Sequence, residues 1–143
     1  MNETSTETRA VVVEREFPFP PEKLWRALTQ PHLIEEWLMK NDFKPVVGHS
    51  FNLRGDWGGV LDCEVLAVDP TRTLSYTWNF THDDAAFNLK SVVTFTLTRT
   101  STGTHLRMEQ SGFRPDQPQY YQGAKGGWQQ FFANLEQVLA RID

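Results

Sequence analysis

Four histidines, one cysteine and a handful of charges carried on strand-like segments are the side chains of this 143-residue chain that could do chemistry. His32, His49, His82 and His105 are widely scattered, and no HExxH or CxxC spacing appears, so the pattern predicts no metal site. Cys63 has no partner identifiable in the sequence and falls on the apolar side of an alternating run, which suits an inert core thiol. There is no GxSxG elbow. Gly123-Ala124-Lys125-Gly126-Gly127 lacks the Gly-Lys-Ser/Thr ending of a phosphate loop and does not follow a strand. No catalytic residue and no cofactor is expected from these patterns.

Two of the strand charges could orient a ligand. Arg54, Asp62, Glu64, Arg107 and Glu109 read first as an exposed face with cross-strand pairs. A buried charge needs a partner, so an inward Arg54 or Glu109 would point to a polar contact in a pocket. The remaining candidates are aromatic. The chain holds ten Phe, five Trp and three Tyr, against isoleucine only at Ile34 and Ile142. Plain core packing accounts for many of these rings. Apolar, aromatic walls with a few polar groups are also what a ligand pocket needs. Trp25, Trp37, Phe51, Trp78, Phe95, Phe113, Tyr121, Trp128 and Phe132 are the candidate lining residues, with Tyr120 and Tyr121 near the mouth.

The elements that must position these rings follow from periodicity. Ala10 to Phe17 reads as a strand, which Pro18, Pro20 and Pro21 stop. A short helix is predicted over Pro21 to Thr29, with Leu24, Trp25 and Leu28 on one face. Pro31 restarts the pattern, and Leu33, Ile34, Trp37 and Leu38 recur at helical spacing. From Phe43 to Gly112 the period is two. Strands are expected around Ser50–Arg54, Val60–Val68 (Cys63, Val65 and Ala67 on one face), Leu74–Phe80, Val93–Leu97 and His105–Ser111. Short turns between them predict an antiparallel meander, and the alternate threonines predict one wet face.

The strongest helical signal is last. Trp128, Phe131, Phe132, Leu135, Val138, Leu139 and Ile142 form one continuous stripe. A helix from Pro118 to Arg141, capped by Asp116, would be roughly 35 Å long. Gly123, Gly126 and Gly127 fall in its early turns. They either serve close approach to another group or belong to an entry loop ahead of a helix starting near Gly127. A straight rod across a twisted, concave sheet meets it at one end and stands away at the other. An internal cavity is therefore expected between the sheet, the long helix and the two short helices.

Phe17 to Trp37, with Pro-Pro-Glu-Lys-Leu-Trp-Arg-Ala-Leu-Thr-Gln-Pro at its centre, resembles the opening of START-like (SRPBCC) domains. Leu74-Ser75-Tyr76-Thr77-Trp78, Gly103-Thr104-His105-Leu106-Arg107-Met108, Ser111-Gly112-Phe113 and Gly127-Trp128 are similar, in order, to the branch named after the C-terminal domain of the heat-shock-protein-90 ATPase activator. The resemblance covers nearly the whole chain from Val11. It implies an α+β helix-grip fold with a cavity, and a family that includes binders, cyclases and co-chaperone domains.

The rest of the composition narrows the classes. The length suits one domain over residues 9–143, burying roughly 70% of its unfolded surface without a metal or disulfide. Residues 1–8 are polar and read as a frayed tail, not a signal peptide. A net charge of −4 with interspersed signs argues against nucleic acid. Apolar runs are too short for a membrane span. The expected partner is a small apolar molecule, the expected state a monomer or homodimer, and the expected compartment the cytoplasm. Binding of a hydrophobic or aromatic ligand is the leading functional expectation. A cyclase or hydrolase using the same cavity, and a co-chaperone-like interaction module, are the alternatives.

Overall fold

Wherever apolar and polar residues alternate, the chain extends, and the strands join in one antiparallel sheet. The computed structural model describes residues 8–56 and 58–143. The tail expected over residues 1–8 lies, apart from Thr8, outside the described residues, as does Trp57. In chain order the elements are β1 (Arg9–Phe17), α1 (Pro21–Thr29), α2 (Pro31–Trp37), β2 (Lys40–Asn41), β3 (Ser50–Arg54), β4 (Val60–Asp69), β5 (Thr73–Phe80), β6 (Leu89–Arg99), β7 (Thr104–Phe113) and α3 (Pro118–Arg141). A single 3-10 turn, Ala85–Phe87, lies between β5 and β6. The strand order is β1-β7-β6-β5-β4-β3-β2. With α3 lying along one face, this is the α+β helix-grip fold.

The two short helices are set by proline. Pro21 and Pro31 each open a helix, and Gln30 sits extended between them, closing α1 and starting α2. Leu24, Ala27 and Leu28 turn inward. Trp37 is 1% exposed and its Nε1 donates to the Ala27 carbonyl at 2.8 Å, which fixes α2 against α1.

Two details depart from simple alternation. In β4 the register slips between Val65 and Ala67, so Val65 faces Tyr76 and Ala67 faces Ser75. Leu66 is the extra residue and is exposed. Such a bulge reverses the side-chain alternation. Cys63 and Val65 are buried on the core side as expected, but Ala67 is not their companion; Val68 packs against the core instead. Second, Asp116 does not cap α3. It pairs with Arg114 at 3.0 Å, and the capping position belongs to Gln117. The Gln117 amide donates outward to the carbonyls of Ala86 and Asn88 at 2.9 and 2.6 Å, tying the start of α3 to the 3-10 turn.

The long helix begins at Pro118, so Gly123, Gly126 and Gly127 lie inside it and not in an entry loop. Its buried residues are Trp128, Phe132, Leu135, Val138 and Leu139. None precedes Trp128. The second half of α3 therefore seats on the sheet, with Phe132 edge-on to Phe17 of β1 at 6.0 Å, while the first ten residues stand off it. No helix among the described residues is long and apolar enough to cross a membrane.

Candidate functional site

The stand-off leaves a cavity of about 410 Å³ under the first turns of α3. Its sheet wall is the inward face of the strand ends. Trp78 and Phe80 come from the last residues of β5, Leu89 from the start of β6, where it pairs with Phe80, and Leu61 from β4. Gln110 and Phe113 come from β7. The helix wall is Gln119, Tyr120, Gly123, Ala124, Gly127, Trp128 and Phe131, and Met39 closes the space beyond α2. None of the fourteen lining residues carries a charge.

Period two delivers the sheet wall. Leu74, Tyr76 and Trp78 are buried on one face of β5, and Leu106, Met108 and Gln110 on one face of β7. Gln110 is thus an inward polar residue, 2% exposed. Its Oε1 accepts from Trp128 Nε1 at 2.7 Å, and its Nε2 donates to Ser91 Oγ at 3.0 Å. Ser91 Oγ in turn donates to the Trp78 carbonyl. An indole nitrogen can only donate, so this network fixes which end of the Gln110 amide is which. The same bonds hold the rings: Trp78 and Trp128 lie 5.3 Å apart, and Phe131 meets Trp128 edge-on at 5.2 Å. At the mouth, Tyr120 donates its hydroxyl to the Phe87 carbonyl at 2.6 Å.

Among the nine aromatic candidates, Trp78, Phe113 and Trp128 line this cavity. Tyr121 is one ring removed, edge-on to Phe113 at 5.9 Å with Arg9 over its face. Phe95 and Phe132 stand behind Trp128, at 5.8 and 6.3 Å. Trp37 packs edge-on against Phe95. Phe51 belongs to a separate cluster with Phe43 and Tyr76. Trp25 is half-buried at the edge of the core. Neither candidate charge reaches the lining. Arg54 is exposed in a surface groove beside Glu35 and Asp56, and Glu109 is half-exposed and pairs with Arg107 at 3.0 Å. Charges at these positions alternate away from the core face, whereas Gln110, the next residue after Glu109, alternates toward it. That position was readable from the run Leu106-x-Met108-x-Gln110.

Cys63 is 5% exposed, and burial, reinforced by the carboxylates of Asp62 and Asp42, pushes its thiol up to about 12. It is an unreactive core group at neutral pH. Burial also holds the Tyr76 phenol well above its usual range.

A family model described as "Activator of Hsp90 ATPase homolog 1-like protein" matches residues 18–140. The chain belongs to that family. Three solved structures show how its fold recurs. Protein MLL2253 from Mesorhizobium loti is 76% identical, with a TM-score of 0.92 over 94% of this chain and 99% of that one. BH1534 from Bacillus halodurans is 26% identical, with a TM-score of 0.77 over 92% of this chain and 96% of its own. DynU16, described as a putative protein in the dynemicin biosynthetic locus, is 26% identical with a TM-score of 0.80; the match covers 92% of this chain but only 47% of DynU16. A comparison with curated proteins gave no match.

Proposed function

We propose that the protein binds a small apolar or aromatic molecule in the cavity between the sheet and the first half of α3. One observation carries this reading: an uncharged, ring-lined space of about 410 Å³ sits where a helix of 24 residues leaves its sheet. That volume falls within the range of small-molecule sites, roughly 300–1,000 Å³. The DynU16 relationship is consistent with it, since that relative is described as a protein of the dynemicin biosynthetic locus. A cyclase or hydrolase would need an acid or base positioned inside the cavity. Among the described residues the only titratable lining side chain is the Tyr120 phenol, already donating to a carbonyl. We therefore read the site as one that holds a molecule. A co-chaperone role would rest on an outer surface, whereas the uncharged site lies between the sheet and α3. We place the protein in the cytoplasm, as a monomer or homodimer.

Native mass spectrometry of freshly purified protein is the direct test, and the expected result is a retained organic molecule. Added ligand should raise the melting temperature with concentration, as RT ln(1 + [L]/Kd) requires. A wide library of apolar and aromatic compounds that leaves both the mass and the melting temperature unchanged would remove the proposal.

A further inference from the structure

The cavity has two features that a merely greasy hole does not need. The first is glycine in the helix wall. Gly123 and Gly127 are one helical turn apart and both line the cavity. A Cβ built on either meets nothing within 4 Å. Neither glycine is there because another part of the protein crowds it. Glycine inside a helix lowers stability relative to alanine, so an empty wall has no use for it. It is useful where something outside the protein lies against the helix backbone. The second feature is Gln110. Its Oε1 is engaged by Trp128 and one Nε2 hydrogen by Ser91. The second Nε2 hydrogen has no partner among the described residues. Gln110 is 2% exposed and lines the cavity, so an acceptor seated in that apolar space is the group left to take this hydrogen. The oxygen cannot rotate into its place without facing the serine hydroxyl that is committed to the Trp78 carbonyl.

Resting on the binding function proposed above, we propose that the site selects an uncharged, flat, fused-ring molecule bearing a carbonyl oxygen. Gln110 donates to that oxygen, and the glycine wall of α3 admits the ring face. Charge is excluded by chemistry: the lining has no cation to meet a carboxylate, and the nearest basic residue of α3, Lys125, sits over the Tyr121 ring at 5.4 Å. Flatness follows from the walls. Trp78 and Phe113 line the sheet wall, and facing it Gly123 and Gly127 put no side chain on the helix wall, which Trp128 continues.

Four probes separate these claims: fluorenone, fluorene, fluorene carboxylate and an open-chain methyl ketone with the same number of carbons as fluorenone. Binding is read by tryptophan quenching and by thermal shift. Oiliness alone ranks fluorene above fluorenone. The donor reverses that order, with fluorenone about threefold to tenfold tighter, the span given by one net hydrogen bond. The carboxylate and the flexible ketone should bind at least about tenfold more weakly than fluorenone. Gly127→Leu fills the wall and should cost fluorenone at least about tenfold in affinity while leaving the melting temperature of the free protein no lower. Gly126→Leu, on the same helix but off the lining, keeps binding and controls for folding. Equal or stronger binding of fluorene, of the flexible ketone or of the carboxylate overturns this inference and leaves the broader binding function standing, as does a Gly127→Leu protein that binds like wild type. Failure of all four probes overturns the inference, and the broader function falls only if freshly purified protein also carries no molecule.

Discussion

Gln110 and Trp128 satisfy each other in a place water does not reach, and the loss of one partner should be felt more than the loss of both. Gln110→Leu strands the Trp128 indole N–H and should cost about 2 kcal/mol in urea unfolding. In a Trp128→Phe background there is no donor left to strand, so the same change should cost about 1 kcal/mol less. Equal costs in the two backgrounds would show that the bond contributes nothing beyond shape. Cys63 gives a second residue-scale expectation. Its thiol is raised from 9.0 to about 12, chiefly by burial, so the folded protein keeps a proton that the unfolded chain gives up as pH rises. A pKa raised in the folded state stabilises the fold fully below the unfolded value, and that stabilisation is lost as pH climbs toward the folded one. Stability should therefore decline between pH 9 and about 12, and Cys63→Ala should flatten part of the decline. Tyr76, displaced in the same direction, accounts for a further share. At neutral pH a thiol reagent should label Cys63 only on unfolding; rapid labelling of the native protein would contradict the assigned burial.

At the scale of elements, glycine does opposite things in β7 and α3. Gly112 has φ +114°, and a Cβ there would stand 2.4 Å from the Lys90 carbonyl oxygen, backbone that cannot swing aside. This bend precedes Phe113, which lines the cavity. Gly112→Ala should destabilise by about 2 kcal/mol or more. Gly126 has ordinary helical backbone and open space around it. Gly126→Ala should stabilise by about 1 kcal/mol, or about 3 °C in melting temperature. If both substitutions shift the melting temperature the same way, the distinction between a required and a replaceable glycine is wrong. The same elements show what local sequence carries. Prolines bracket α1 and α2 and open α3, and a stripe running from Trp128 to Leu139 declares the long helix, so these bounds were legible. The bulge at Leu66 was not, because alternation through Val65 and Ala67 reads the same with or without an extra residue. β2 was missed for a related reason: two residues, Lys40 and Asn41, give no period, and they become a strand only through pairing with Arg54 and Leu53. Asp116 looked like a helix cap on residue type, yet Arg114 two positions earlier takes its carboxylate.

Across the whole molecule, the fold and the existence of a cavity share one cause, a straight helix on a sheet it matches over only part of its length. That cause was visible in the stripe, whose first large residue is Trp128 although the helix starts ten residues earlier. Membership of the lining was less visible. Trp37 and Trp78 each sit on an apolar face in sequence, and only the placement of α2 puts one against Phe95 and the other against the open space. The same geometry decides where stability resides. Every ion pair among the described residues keeps both side chains at least 30% exposed. Such pairs contribute about 0–1 kcal/mol each and are screened by salt. The seated half of α3 is different in kind: Phe132 is fully buried between Phe17 and Trp128, joining β1, the helix and the inner end of the cavity. Phe132→Ala should cost about 4 kcal/mol, a large part of the 5–15 kcal/mol that holds a domain of this size. Raising sodium chloride from low to near-molar concentration should move the melting temperature by no more than about 2 °C. A strong salt dependence alongside a mild Phe132→Ala phenotype would place the cohesion of the molecule at its charged rim instead of at the seat of the helix, and the stand-off that makes the cavity would then need another explanation.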